Sequence, residues 1–369
     1  MSSKRNDLER RLIARIEREG PITFRDFMQA ALYDPDYGYY NTERVKIGPQ
    51  GDYYTSSNVH PAFGALLARV FVQQWKELGL YPSHPLTIVE IGAGTGRLAC
   101  DVLNALRDQH PEAFQEVDYV IVESSPHMCR RECELLAGFE SRVHWRTLEE
   151  LGRPPMEGTF FSNELIDALP VHRVRFERSG IEEQYVSSAA GRLALSWAQP
   201  STLELVNYLG RAGVKPAEGQ IVEINLDAIE WLSKVSRALG RGFLITVDYG
   251  DLSPLLWAPD RRYGTLRSFY NHRLVDSPLE RIGEQDMTAS VNFTALLEYG
   301  PDFGLETLSY ERQVAFLVRM GLIDMIAESA GTNPSRQELN EWLALKNLFV
   351  PGGVSDNFRV LIQKKIGSP

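Results

Sequence analysis

Apolar residues recur along the chain at the spacings of helices and of buried strands. Leu8, Leu12 and Ile16 stand four residues apart, which predicts the apolar face of an N-terminal helix. Uninterrupted apolar runs over 86–91 and 119–122 predict strands that are buried within a sheet. Because the two patterns alternate through most of the chain, we predict an α/β fold built on an open sheet.

The rest of the pattern continues this alternation. Further predicted strands are 143–145, 158–162, 221–224, 242–247 and 358–363, and further predicted helices are 24–31, 61–78, 97–106, 293–297 and 312–348, with a turn at 351–353. Alternating segments over 171–198 predict an antiparallel β-meander. The stretch 251–292 is an insertion of a length that often covers an active site. We therefore predict an N-terminal helical cap over 1–80 and one catalytic domain over 81–369.

A glycine-rich turn, Gly92-Ala93-Gly94-Thr95-Gly96, connects the strand 86–91 to the next helix. Glycines let the backbone approach a ligand closely, and the following helix offers free N–H groups. A dinucleotide-binding turn needs a third glycine where Arg97 stands. With Glu90 just before it, the spacing is instead similar to the first motif of S-adenosylmethionine (SAM)-dependent methyltransferases. NAD or another nucleotide, and a turn without a ligand, are the alternatives.

An acid, Glu123, follows the strand 119–122 at the edge where ligands of open α/β sheets bind. A carboxylate there can accept hydrogen bonds from both hydroxyl groups of a ribose. The alternative is that Glu123 only caps the helix beginning at Pro126. The glycine turn upstream favours the ribose.

Two further acids follow the strand 158–162. If Asn163 caps a short helix, Glu164 and Asp167 face the same way at the edge of the sheet. Such a pair can grip a guanidinium group or orient an amine. The same acids would also suit the first turn of a helix with no catalytic role, because the helix dipole favours them there.

Composition narrows the class of protein. The formal charge of −10 disfavours binding to nucleic acid or to an anionic membrane and favours a basic partner. No apolar run is long enough for a membrane-spanning helix. Three cysteines without a disulfide framework predict a cytoplasmic protein. Cys129 and Cys133 lie one helical turn apart, but no second pair of ligands accompanies them, so we expect no metal site.

At this point the residues resemble those of a known family, the MidA-type methyltransferases, across nearly the whole chain. The segments that carry the likeness are 20–28 (Gly-Pro-Ile-Thr-Phe-Arg-Asp-Phe-Met), 33–40, the glycine turn, 123–126, 163–170 (Asn-Glu-Leu-Ile-Asp-Ala-Leu-Pro), 265–267 and 283–288. The segment 163–170 is far more specific than the glycine turn. The mitochondrial members of this family methylate an arginine of a protein during complex I assembly.

The resemblance implies a Rossmann-like class I methyltransferase with SAM as cofactor. The residues expected to bind the cofactor are Glu90, Gly92, Gly94, Gly96, Glu123, Ser162 and Asn163. The residues expected to act on the acceptor are Glu164 and Asp167 first, then Asp286 and Tyr249. The expected partner is a protein with an accessible arginine.

Three other functions stay open at this stage. The first is a SAM-binding assembly chaperone with weak or no transfer activity, which would grip its partner through tyrosines such as Tyr39. The loop 33–40 is then a binding surface or lid, whereas in the simpler interpretation it is a packed loop. The others are a small-molecule methyltransferase and, more distantly, a nicotinamide dehydrogenase.

Overall fold

The computed structural model describes residues 7–42, 60–178, 180–329 and 357–367. The strands are β1 (Ile22–Thr23), β2 (Leu86–Ile91), β3 (Val117–Val122), β4 (Val143–Trp145), β5 (Met156–Asn163), β6 (His172–Glu177), β7 (Gly180–Ala189), β8 (Arg192–Ala198), β9 (Ile221–Ile224), β10 (Leu239–Asp251), β11 (Arg267–Tyr270), β12 (Arg273–Val275), β13 (Asp286–Thr288), β14 (Val291–Asn292), β15 (Leu305–Arg312) and β16 (Phe358–Lys365). The helices are α1 (Asp7–Glu19), α2 (Phe24–Tyr33), α3 (Ala62–Glu77), α4 (Arg97–Gln109), α5 (Pro111–Glu116), α6 (Pro126–Leu135), α7 (Leu148–Leu151), α8 (Glu204–Arg211), α9 (Leu226–Ala238), α10 (Ser253–Leu256), α11 (Phe293–Tyr299), α12 (Gln313–Arg319) and α13 (Leu322–Ser329). The predicted turn 351–353, and the predicted helix beyond 329, lie outside the described residues.

The chain divides into two units that alternate along the sequence. The sheet unit consists of 54–165, 232–249 and 300–369, and the meander unit consists of 1–53, 166–231 and 250–299. The predicted division into a cap over 1–80 and a catalytic domain over 81–369 stays a prediction.

The sheet unit contains a mixed sheet with the strand order β15-β16-β10-β5-β2-β3-β4. All neighbours from β10 to β4 are parallel, and β16 runs antiparallel to both of its neighbours. From β2 the chain moves outward through β3 to β4 and then returns to the other side of β2 as β5. The carboxyl ends of β2 and β5 therefore form a topological switch point, the usual ligand site of an open α/β sheet.

The core of the sheet unit forms because its central strands are apolar on both faces. Every residue of β2 is buried, as expected for a strand covered on both sides. Helices α3 and α4 pack closely at Gly64, where a Cβ atom would lie 2.7 Å from Asp101 Cβ. The large side chains Phe63, Phe71 and Phe161 are fully buried, and each contributes about 1.5–3 kcal/mol from burial.

The meander unit contains an antiparallel sheet with the order β1-β7-β6-β9, and β8 pairs with β7. The meander predicted over 171–198 is present as β6, β7 and β8. The predicted strand 221–224 forms as β9, but it pairs antiparallel with β6 rather than joining the parallel sheet. The alternating pattern predicted that this strand joins the open sheet, and that prediction was wrong. A strand–helix–strand pattern specifies the local elements, whereas tertiary packing selects the partner strand.

The insertion 251–292 contains structure that the sequence did not predict. Strands β11, β12 and β13 form a small antiparallel sheet there. Glu223 anchors the chain just before β11. Its Oε2 atom accepts hydrogen bonds from Thr265 N and Oγ1 at 2.7 and 3.1 Å. Arg173 donates to Oε1 of the same carboxylate at 3.1 Å. A buried ion pair therefore anchors the insertion to the antiparallel sheet.

The tyrosine-rich loop 33–40 packs into the meander unit. Tyr39 is 0% exposed, so it does not face a partner, contrary to the expectation for an assembly chaperone. The Tyr33 and Tyr40 rings stack with centroids 5.4 Å apart. The Tyr33 hydroxyl donates to Ala168 O at 3.0 Å. The structure thus supports the packed-loop interpretation of this segment.

Candidate active site

The glycine turn lies at the switch point, directly after β2. All three of its glycines have positive φ, at 75° for Gly92, 59° for Gly94 and 77° for Gly96. Gly92 N donates to Val122 O at 2.9 Å, which connects the turn to β3. A Cβ atom at Gly92 would lie 2.7 Å from Leu165 Cδ1. The turn therefore needs glycine both for its backbone conformation and for its close approach to the end of β5.

Glu123 lies beside this turn, at the carboxyl end of β3. Its Oε1 atom accepts a hydrogen bond from Ser125 N at 2.7 Å. Burial raises the pKa of Glu123, while the backbone N–H groups of Ser125, Ser124 and Gly94 act in the opposite direction. The carboxylate is thus fixed between the glycine turn and the start of α6, where a ribose bound on the turn could donate to it.

Two polar side chains at the end of β5 suit the polar end of a bound cofactor. Ser162 is 1% exposed. Within the described part of the chain, Ser162 Oγ and Asn163 Oδ1 have no hydrogen-bond partner. Burying such atoms without a partner is costly, so both atoms are available to pair with polar groups of a bound ligand. The ammonium and carboxylate groups of the methionine part of SAM fit this requirement.

Glu164 lies next to Asn163, but not on the helix that the sequence predicted. Its φ is +53°, an unfavourable conformation for a residue other than glycine. Its backbone N–H donates to Val247 O at 2.9 Å. Its Oε1 atom accepts from Asn163 Nδ2 at 3.2 Å. Asn163 therefore does not cap a helix, because it is the last residue of β5, where it pairs with Val247 of β10, and Glu164 after it is not helical.

Asp167 lies in the meander unit, in the short 3-10 helix Ile166–Ala168. Its main-chain oxygen accepts from Ala289 N at 2.9 Å. Asp286 is in the same unit on β13, where Tyr40 OH donates to Oδ1 at 3.1 Å. Glu164 and Asp167 therefore do not share one helical face, whereas the segments of Asp167 and Asp286 lie together. Their roles stay predictions.

Tyr249 lies near the end of β10 in the sheet unit. Its ring packs edge-on against Phe358 with centroids 6.0 Å apart. Its backbone N–H donates to Asp248 Oδ1 at 2.8 Å. Tyr249 thus contributes to the apolar core at this edge of the sheet, and its second-rank catalytic role stays a prediction.

Glu90 is buried within β2 beneath the turn, at 2% exposure. The Tyr119 hydroxyl donates to its Oε2 atom at 2.7 Å. Burial raises the pKa of Glu90 to about 7, the Tyr119 hydrogen bond opposes this rise, and the charge of Glu123 adds to it. Glu90 therefore exchanges its proton near neutral pH.

A second buried acid, Glu132 on α6, was missed from the sequence. It is 0% exposed, and Trp145 Nε1 donates to its Oε2 atom at 2.7 Å. A Cβ atom at Gly96 would lie 3.3 Å from Glu132 Cα. The signal was present in the sequence, because Glu132 stands between Met128 and Leu136 on the buried face of a helix.

These features together define the Rossmann-like class of SAM-binding folds: a parallel sheet, a glycine turn at its switch point and an acid after the neighbouring strand. A protein family described as "Putative S-adenosyl-L-methionine-dependent methyltransferase" matches residues 66–311. The chain belongs to this family of methyltransferases.

A solved structure shows a similar fold with the reaction product bound. The crystal structure of a Burkholderia thailandensis protein bound to S-adenosyl-homocysteine superposes with a TM-score of 0.87. It is 30% identical, covering 97% of this chain and 92% of that chain. The expected class I fold and SAM as cofactor are thereby confirmed.

Curated relatives are named for their acceptor and their location. "Protein arginine methyltransferase NDUFAF7, mitochondrial" of Mus musculus is 26% identical, covering 89% of this chain and 78% of the relative. The Drosophila melanogaster homologue is 27% identical, covering 79% and 69%. The resemblance to MidA-type methyltransferases is thereby confirmed. The predicted cytoplasmic location was wrong, since these relatives are mitochondrial and free cysteines do not specify a compartment. No helix within the described ranges is long and apolar enough to cross a membrane.

Proposed function

We propose that this chain transfers the methyl group of SAM to an arginine side chain of a protein substrate, with Glu164 binding the guanidinium group. The observation that carries the proposal is the position of Glu164. It holds an unfavourable positive φ at the carboxyl edge of the sheet, one residue after Asn163. Backbone strain of this kind persists where the surrounding structure imposes it, and it is concentrated at functional sites.

The chemistry of arginine explains why a carboxylate is needed. A guanidinium group is protonated in water and offers a planar fork of N–H donors that matches a carboxylate. SAM, when bound, supplies a methyl group already activated by its sulfonium. The task left to the protein is to hold the attacking nitrogen in line and to stabilise the group as it loses its proton. The half-buried Glu164 can do both, and the names of the relatives support arginine as the acceptor.

The test compares Glu164→Gln with Glu134→Gln, which alters an exposed acid on α6. Both variants are incubated with SAM carrying a labelled methyl group and with a cell extract from a strain lacking this protein. Labelled proteins are hydrolysed, and their amino acids are separated. We expect labelled methylarginine with Glu134→Gln at the wild-type level, and about 100-fold less with Glu164→Gln.

Binding is measured separately, by calorimetric titration with S-adenosyl-homocysteine. We expect Glu164→Gln to bind the product as wild type does, because the carboxylate is assigned to the acceptor. Undiminished transfer by Glu164→Gln would remove Glu164 from the mechanism. Label on a residue other than arginine would overturn the proposed acceptor, and binding without any transfer would favour the assembly chaperone.

A further inference from the structure

Glu132 is a buried acid near the expected cofactor site, and it has no role in the proposed methyl transfer. Its side chain lies directly beneath the glycine turn, since a Cβ atom at Gly96 would be 3.4 Å from Glu132 Cγ and 3.5 Å from Glu132 Cβ. On the other side, the Trp145 indole of β4 fixes Glu132 Oε2 at 2.7 Å. The side chain therefore fills the space between the turn and β4.

The hydrogen bonding of Glu132 is incomplete. Its second oxygen, Oε1, is buried and has no partner within the described ranges. Burying an ionised carboxylate with an unpaired oxygen costs more than burying the neutral carboxyl group at the same place. The geometry thus favours the neutral form.

The groups around Glu132 reinforce this preference. Glu90 approaches from β2, Glu123 from the end of β3, Tyr119 from within β3, and Cys129 from the preceding turn of α6. The charges of Glu123 and Glu90 repel a negative charge on Glu132, whereas Tyr119 and Cys129 have raised pKa values and stay uncharged. Burial, followed by the charge of Glu123, raises the pKa of Glu132 to about 8, while the Trp145 hydrogen bond lowers it.

We propose that Glu132 is a positioning residue of the cofactor site that acts in its uncharged form. Held by Trp145, it supports Gly96 from below and places no second negative charge beside Glu123, the expected acceptor for the cofactor ribose. When Glu132 loses its proton, its charge repels Glu123 and disturbs the turn, and cofactor affinity falls. The proposal concerns cofactor binding and does not depend on the identity of the methyl acceptor.

The expected effect follows from the fraction of protein in the binding-competent form. If only the form with neutral Glu132 binds, the apparent Kd is divided by that fraction. With a pKa of about 8, the apparent Kd is almost unaffected at pH 6.5 and rises about tenfold at pH 9. Glutamine resembles the neutral carboxyl group in shape, so Glu132→Gln should bind as well as wild type at low pH and lose this rise.

The experiment is calorimetric titration of the full chain with S-adenosyl-homocysteine between pH 6.5 and 9. The α-amino group of the ligand also titrates near pH 8, so the quantity compared is the ratio of the wild-type Kd to that of Glu132→Gln. We expect this ratio to climb from about one to about ten across the range. Glu134→Gln, the matched exposed acid, should follow the wild-type curve.

Trp145→Phe provides an independent test that does not require Glu132→Gln to fold. Because the indole N–H stabilises the charged carboxylate, its removal should move the loss of affinity to higher pH. A purely structural role of Glu132 would change the Kd equally at every pH. A ratio that stays flat or falls with rising pH, or an unmoved midpoint in Trp145→Phe, would overturn the proposal.

Discussion

Replacing Gly92 by alanine tests the geometry of the turn most directly. The φ of +75° at Gly92 costs a residue with a Cβ atom about 1–2 kcal/mol. The new methyl group would also lie 2.7 Å from Leu165 Cδ1. Relieving an overlap of this kind costs about 1–3 kcal/mol. We therefore expect Gly92→Ala to lower the free energy of unfolding by about 2–5 kcal/mol.

A matched control separates the two contributions. Gly79 has a φ of +68°, and a Cβ atom there would meet nothing within 4 Å. Gly79→Ala should therefore cost only the backbone part, about 1–2 kcal/mol. Leu165→Ala removes the overlapping methyl group, so the double variant Gly92→Ala/Leu165→Ala should be about 1–3 kcal/mol more stable than the sum of the single effects predicts.

Stability is measured by urea denaturation, with tryptophan fluorescence as the signal. Cofactor binding is measured by titration with S-adenosyl-homocysteine. Because Leu165 follows Glu164 in the chain, Gly92→Ala should also reduce methyl transfer, and Gly79→Ala should not. Additive effects of Gly92→Ala and Leu165→Ala within about 0.5 kcal/mol would show that the two residues do not clash. An equal loss of stability in Gly79→Ala and Gly92→Ala would refute the same reasoning.

Three further predictions concern the acids of both units. Glu123→Ala should weaken SAM binding at least about tenfold by calorimetry, because the ribose loses a charged acceptor; wild-type affinity would contradict this role. Gly264→Ala should lower the free energy of unfolding by about 3 kcal/mol in urea denaturation, because its φ is +79° and the Cβ atom would overlap Glu223 Oε1. Unchanged stability would contradict the anchoring of the insertion. Folding raises the pKa of Glu132 from 4.5 to about 8, so between these pH values the folded state keeps a proton that the unfolded state loses. Wild type should therefore lose stability relative to Glu132→Gln as pH rises from 4.5 to about 8. Parallel curves of stability against pH would contradict this.

Local patterns predicted the elements whose determinants are close together in sequence. The start of the predicted helix 24–31 is one example, because the Thr23 side chain accepts a hydrogen bond from Asp26 N at 3.1 Å and caps α2. The strand, glycine turn and helix over 86–109 form another. In both cases the residues that determine the element lie within a few turns of one another in the chain. Tertiary contacts therefore did not change the predicted elements.

Long-range pairing decided the elements that the sequence did not predict. Asn163 is a residue type that often caps helices, yet the backbone N–H of Glu164 donates to Val247 O of β10. Strand β9 was recognised as a strand, but its antiparallel partner, β6, lies about fifty residues earlier. Strand β15 is half-exposed at the edge of the sheet, so its apolar alternation is weak.

The sequence could not predict which acids around the glycine turn are charged, because their ionisation depends on the hydrogen-bond donors that the fold brings to them. Glu90 and Glu132 each receive a hydrogen bond from one side chain, that of Tyr119 or Trp145. Glu123 receives backbone N–H groups from three residues on two segments. Burial raises the pKa of Glu90 to about 7 and that of Glu132 to about 8, whereas for the half-buried Glu123 the three backbone donors oppose the rise in pKa. Glu123 is therefore the acid that we expect to accept hydrogen bonds from a ribose, and the proposal for Glu132 follows from the same difference in donors.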